Sequence, residues 1–189
     1  MASAVVLIGA AAIGIIRAIY QYGRPRPAVD ERRDSSVDTL ALMAAVVGFV
    51  LPIGWATTGW PAFADIPGMS AALLPGSLIM AAALWLFYRA HHDLGRNWSA
   101  TLQIVAAQQL VTSGVYRVVR HPMYLALMLY GLGQAAVVPN WLAGPACLAG
   151  TSALFALRVR AEEQMMRDRF GAEFERYAAR TARIVPGIW

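Results

Sequence analysis

Lysine is missing from the 189 residues, cysteine occurs once, and charged side chains make up only 14% of the chain. Each shortage excludes something. An average soluble protein carries about 25% charged residues, and here the deficit is matched by 58% hydrophobic residues and a mean hydropathy of +0.50. The apolar residues fall in long blocks almost free of charge, the pattern of a chain built for lipid. A lone cysteine rules out an intramolecular disulfide and cannot by itself make a zinc site. Cys147 lies in an apolar run and reads as a small packing residue between helices, so nothing requires an oxidising compartment. The basic residues are all arginine, the net charge is +5 and the pI is near 9.9. Such a balance can signal nucleic-acid binding. These arginines, however, are interleaved with hydrophobic spans and form no basic recognition helix, so nucleic acid is not expected as a partner.

Spanning the hydrocarbon takes about 20 helical residues. Five segments qualify: Ser3–Tyr20, Leu40–Thr58, Met69–Tyr88, Met123–Val138 and Trp141–Leu157. The apolar N-terminus, Ala2 to Ile16, has no basic residue before it, which suits a retained first span more than a cleaved signal. The last two spans are short and separated only by Pro139 and Asn140, a tight antiparallel hairpin or a re-entrant pair. Pro52 with Gly54, and Pro75 with Gly76, are expected to kink the second and third spans. Gly131, Gly133, Gly144 and Gly150 would allow close helix approach.

Loop charges give an orientation. Arginines crowd the first loop (Arg24, Arg26, Arg32, Arg33), the third (Arg89, Arg96, Arg117, Arg120) and the C-terminal tail from Arg158 onward. The segment Trp60–Pro67 and the Pro139–Asn140 turn have none. With five spans the arginine-bearing segments share one side, which the positive-inside rule makes cytoplasmic, leaving the N-terminus outside and the C-terminus inside. Between Arg158 and Arg180 the apolar residues Ala161, Met165, Met166, Phe170, Phe174 and Tyr177 recur at helical spacing, an amphipathic helix that Gly171 breaks or bends.

Two places could carry chemistry. In LVTSGVYRVVRHPMY, Leu110 to Tyr124, proline after His121 marks a helix start, with His121 at the N-cap and Tyr124 one turn further in. Exposed N–H groups and the helix dipole there suit an anion. The plainer reading is an interfacial cap with Tyr116 and Tyr124 as anchors. The second place is Arg158, Arg160, Glu162 and Glu163, where the fifth span leaves the membrane. Arg158 and Glu162 are four residues apart on one helix face, and an arginine there can clamp a carboxylate in bidentate fashion. The plainer reading is a solvated charged helix. His91 and His92 point about 100° apart on a helix, so no metal site is expected.

These stretches together resemble the isoprenylcysteine carboxyl methyltransferase family, within the wider group that includes membrane phospholipid N-methyltransferases. The likeness runs from about Asp93 to Pro186 and rests on LG-x-x-W-S (Leu94–Ser99), LVTSGVY-x-x-x-RHPMY (Leu110–Tyr124), R-x-x-x-EE (Arg158–Glu163), FG-x-E-F-x-x-Y (Phe170–Tyr177) and R-x-x-P (Arg183–Pro186). The first three spans match only in hydropathy. The resemblance implies S-adenosylmethionine bound at the cytoplasmic membrane edge without a soluble dinucleotide-type domain. It implies cofactor contacts from Gln108, Gln109, Leu110, Val111, Tyr116, His121, Pro122, Met123, Tyr124 and Glu162, with Arg158 facing the methyl acceptor. Gln108 departs from the histidine of eukaryotic members.

The expectation is therefore an all-α, polytopic membrane protein with about five transmembrane helices and a cytoplasmic amphipathic C-terminal helix. Residues 1–189 would form one integral-membrane domain, three N-terminal spans (1–88) followed by a methyltransferase-like half with the cofactor site (89–189). The expected activity is methyl transfer to a lipophilic or prenylated acceptor entering from the bilayer, foremost carboxyl O-methylation of an isoprenylcysteine-like substrate. A carboxylate is already nucleophilic at neutral pH, whereas an amine or thiol needs a proton removed. Phospholipid amine or thiol methylation is the alternative, followed by an NADPH-dependent sterol-type reductase and a non-catalytic scaffold.

Overall fold

The computed structural model describes residues 1–23, 29–32, 36–67, 72–95, 103–105 and 109–186. Six helices account for most of them: α1 (Ala2–Tyr22), α2 (Ser36–Thr58), α3 (Leu73–Leu94), α4 (Pro122–Val137), α5 (Ala143–Phe170) and α6 (Ala172–Ala178). The helices α1, α2 and α3 are each long and apolar enough to cross a membrane, while α4 is a shorter apolar helix. The all-α expectation holds for this bundle but misses a two-stranded antiparallel ribbon, β1 (Val29–Arg32) with β2 (Gln103–Val105). The two segments follow α1 and α3, which end on the same side, and pairing there satisfies backbone groups that have left their helices.

Packing is set by small residues. The α4 helix lies between α3 and α5, α5 also packs along α2, and α1 leans on α2 and α3. A Cβ on Gly150 would lie 2.5 Å from the Ala44 carbonyl oxygen, and one on Gly48 2.6 Å from that of Ala146. The α2–α5 backbones meet so closely because neither position carries a side chain. Gly131 and Gly144 are closed in by Leu148 and Val138 in the same way, as the small-residue reading expects. Inside, Val6, Met80, Phe87, Ala126, Tyr130, Val137 and Cys147 form the main apolar core.

Two local expectations need correction, at Pro75 and at the end of the fifth apolar segment. Pro75 does not kink a span; it sits in the first turn of α3, where the missing N–H has no helical acceptor to lose. Pro52 lies inside α2, where the second span's expected kink would fall, and the helix runs on to Thr58. The fifth apolar segment and the charged helix after Arg158 are a single helix, because nothing between Leu157 and Phe170 breaks it. Gly171, at φ 50°, does end that helix as anticipated, and α6 is only seven residues long. The Pro139–Asn140 turn is confirmed between α4 and α5. The C-terminal ends of α1, α3 and α5 and the N-terminal ends of α2 and α4 share one end of the bundle, where Tyr20 meets His91 and Asp38 meets Arg158.

Candidate active site

The site end is built around the approach to α4. Asp93, in the last turn of α3, accepts the Val115 N–H at 2.9 Å and pairs with Arg89 at 3.2 Å. This fixes a single-turn 3-10 helix, Gly114–Arg117. Gly114 has φ 60°, and a Cβ there would overlap the Asp93 carboxylate, so only glycine fits. Tyr116 turns inward, its hydroxyl donating to the Ala90 carbonyl at 3.3 Å, and its own carbonyl accepts the Tyr177 hydroxyl at 2.7 Å. The next residues pair with the tail: Arg120 N–H donates to the Ala182 carbonyl at 2.8 Å and His121 N–H to that of Arg183 at 3.0 Å. His121 is then the N-cap of α4 and Pro122 its first residue, as the sequence indicates.

The His121 side chain does not cap the helix. Its two ring nitrogens face two carboxylates of α5, Nδ1 at 3.5 Å from Glu162 and Nε2 at 3.4 Å from Glu163. Phe155 and Tyr124 flank the ring. Burial disfavours the imidazolium, but hydrogen bonding and charge from Glu162 and Glu163 outweigh it and hold the His121 pKa above its ordinary value. Burial likewise opposes ionisation of both glutamates. Glu162 is nevertheless held below the usual carboxylate range by His121, Tyr124 and Arg158, and Glu163 well below it by His121, Arg183 and Arg120.

The two adjacent carboxylates have different surroundings. Glu163 is 2% exposed and wholly enclosed by cations: Arg120 Nε at 3.0 Å, Arg183 Nη2 at 3.0 Å and Arg167 Nη2 at 3.5 Å. Glu162 is 25% exposed, accepts the Tyr124 hydroxyl at 2.5 Å, and has Arg158 Nε at 3.8 Å. Glu162 thus keeps an open edge beside the N-terminus of α4, the combination that can take an ammonium or a ribose hydroxyl next to a carboxylate-binding helix end. Such an arrangement suits a small ligand that carries an ammonium, vicinal hydroxyls and a carboxylate.

The structure therefore brings Tyr124, His121, Glu162 and Arg158 together, with Pro122 buried and Met123 half-buried in the first turn of α4. Tyr116 is buried one turn away. Gln109, Leu110 and Val111 lead into the 3-10 turn as irregular chain, Gln109 exposed and the other two half-buried; Gln108 lies outside the described residues. No group of three or more metal-ligating side chains occurs among the described residues. His91 instead packs against Phe87 with Nδ1 2.9 Å from its carbonyl.

Sequence reasoning missed Asp38. In the first turn of α2 it holds Arg158 Nε at 2.6 Å, both residues buried. A carboxylate at the mouth of an apolar span is costly unless paired, and that cost was the available signal. The binding of the tail through Arg120, Glu163 and Arg183 was also missed, since Arg183 is 20 residues from its partner.

Comparison with known proteins bears on the family. Residues 74–168 match the isoprenylcysteine carboxyl methyltransferase (ICMT) family. A probable protein-S-isoprenylcysteine O-methyltransferase of Oryza sativa subsp. indica is 32% identical over 96 residues, and protein-S-isoprenylcysteine O-methyltransferase B of Arabidopsis thaliana 30% over the same length. The chain spans about half the length of the curated relatives it matches, 50% and 49% respectively, and half of its own residues are aligned. The solved eukaryotic intramembrane Ras methyltransferase ICMT superposes with a TM-score of 0.58 at 25% identity, covering 82% of this chain and 55% of that one. The chain is an integral membrane protein and belongs to the isoprenylcysteine carboxyl methyltransferase family.

Proposed function

We propose that this chain is an S-adenosylmethionine-dependent methyltransferase that methylates the carboxylate of a lipophilic, isoprenylcysteine-like acceptor. The observation that carries the reading is the half-open Glu162, wired to Tyr124 and His121 at the start of α4 and within 3.8 Å of Arg158. The cofactor supplies an electrophilic methyl on a sulfonium. Glu162 and the first turn of α4 would hold its polar end, with Gln109–Val111 and Tyr116 alongside. Arg158 would orient the acceptor.

The state of His121 favours a carboxylate acceptor. Both ring nitrogens face carboxylates and the pKa is raised, which favours the doubly protonated ring, a form with no lone pair for removing a proton. Methyl transfer to a carboxylate needs no base, only alignment and a dry site. The acceptor's apolar body would enter from the lipid side.

Two measurements test the proposal. Glu162→Gln is expected to weaken S-adenosylmethionine binding by about 1.5–3 kcal/mol, the loss of a charge-assisted hydrogen bond. Unchanged affinity by calorimetry in a folded variant places the cofactor elsewhere. The proposed topology has α1 to α5 crossing the bilayer as one domain, N-terminus outside and the site cytoplasmic. A cysteine at exposed Ser113 should then resist an impermeant thiol reagent in intact cells and react after permeabilisation. Labelling of intact cells overturns that orientation.

A further inference from the structure

The end of the bundle away from the site carries an aromatic platform. Trp60, Phe63 and Trp141 are 61%, 71% and 57% exposed, and the rings of Phe63 and Trp141 meet edge to face at 6.4 Å. They are not on a loose loop. Trp141 N–H donates to the Ala64 carbonyl and Ile66 N–H to that of Pro139, both at 3.0 Å, joining the α2–α3 connection to the α4–α5 turn. Buried Asn140 links them further. Its Nδ2 donates to the Pro61 carbonyl at 2.9 Å and to Asp65 at 2.7 Å, while its Oδ1 accepts the N–H groups of Leu142 and Ala143 at the start of α5. Asp65 is the sole charged residue from Gly59 to Pro67, and its carboxylate also accepts the Trp55 indole N–H at 2.8 Å.

Rigidly displayed aromatic surface is unfavourable in water and marks a contact surface. Helix length identifies the contact. The α4 helix has 16 residues, so it rises about 24 Å, against about 30 Å of hydrocarbon. A helix this short cannot carry its far end clear of the lipid while its N-terminus stays at the opposite surface. The Val137–Ala143 turn, and the α2–α3 segment bonded to it, would therefore end about 6 Å short of the far headgroups, on the acyl side of the boundary. The platform is suited to that depth: its rings face outward and its one carboxylate has two side-chain donors.

From this we infer that Trp60, Phe63 and Trp141 form a membrane-embedded anchor, docked on phospholipid at the leaflet opposite the site and compensating for the short α4. The inference rests on α4 crossing the bilayer, whichever way it faces. Nitroxide labels on cysteine variants of the full chain in phosphatidylcholine vesicles test it, because Cys147 is buried. At Phe63→Cys, collisional relaxation by oxygen should exceed that by a water-soluble nickel chelate at least several-fold. Glu173→Cys, on exposed α6, should show the reverse. A label at Leu132→Cys on the outer face of α4 reports the span itself. Lipid-like behaviour at 132 with nickel access at 63 overturns the anchor alone. Nickel access at both overturns the span and the anchor with it. Shielding at 63 from both reagents means protein covers the platform, and also overturns the proposal.

Discussion

Arg158→Lys is expected to bind S-adenosylmethionine with nearly unchanged affinity while transferring methyl groups roughly ten- to a hundredfold more slowly, about 1.4–2.7 kcal/mol of lost positioning. Lysine keeps the charge beside Glu162 but loses the planar fork that aligns a carboxylate in bidentate fashion. The neutral substitution is the more decisive arm, and Asp38 dictates how it must be made. Arg158 Nε lies 2.6 Å from Asp38, both buried, so Arg158→Gln alone strands a carboxylate inside the bundle. Removing one partner of a buried pair costs about 3–5 kcal/mol, and lost activity would then report only unfolding. The Asp38→Asn/Arg158→Gln double variant removes both charges together, so neither is left buried without its partner. For a carboxylate acceptor it should lose at least as much activity as the lysine variant, at equal cofactor saturation. For an amine acceptor, a neutral residue removes a repulsion and activity is retained or raised. Retained activity in a folded double variant sinks the carboxylate reading.

Asp38 also shows where the sequence stopped being informative. Periodicity and hydropathy located α1, α2 and α4 to within four residues but stopped α3 and α5 six and thirteen residues short, and the Arg-His-Pro turn was legible because proline fits a first helical turn and little else. His121 and Tyr124 were legible as neighbours because both sit at the start of α4, whereas Glu162 lies eight residues inside the end of α5 and was singled out only by its charge beyond an apolar run. Long-range partners were not legible. Asp38 and Arg158 are separated by three connections, and no local rule states which carboxylate a buried arginine will meet. Pro75 was misread for a related reason: a proline within an apolar stretch looks like a kink until the helix start is known to lie two residues before it. The ribbon of β1 and β2 pairs segments more than 70 residues apart, too short for alternation to reveal.

Glu163→Gln should be the most destabilising single change at the site, although Glu163 is not placed against the cofactor. Its carboxylate gathers Arg120, Arg183, Arg167 and His121 at one point, and with 2% exposure it has no water to replace them. The amide keeps the shape, loses the charge and leaves those cations facing one another. A loss of about 3–5 kcal/mol is expected, since the partners of a broken buried pair stay desolvated. Arg183 also holds the tail against Val119 and His121, so fraying should start at Thr181–Val185 and reach the α4 turn. The pH dependence separates this from general disruption. A carboxyl held below its ordinary value contributes stability that is present above the unfolded pKa and is lost as pH falls through the folded one. His121, held above its ordinary value, contributes stability below the unfolded imidazole pKa that is lost as pH rises through the folded one. Wild-type protein in detergent should therefore have a stability plateau between those limits, with an acid flank to which Glu163 contributes. In Glu163→Gln the plateau should drop, with a midpoint lower by on the order of 10 °C, and the acid flank should flatten because one of its titrating carboxyls is gone. A variant with an undiminished acid flank, or with an unchanged midpoint, would show that Glu163 does not hold the tail to the site.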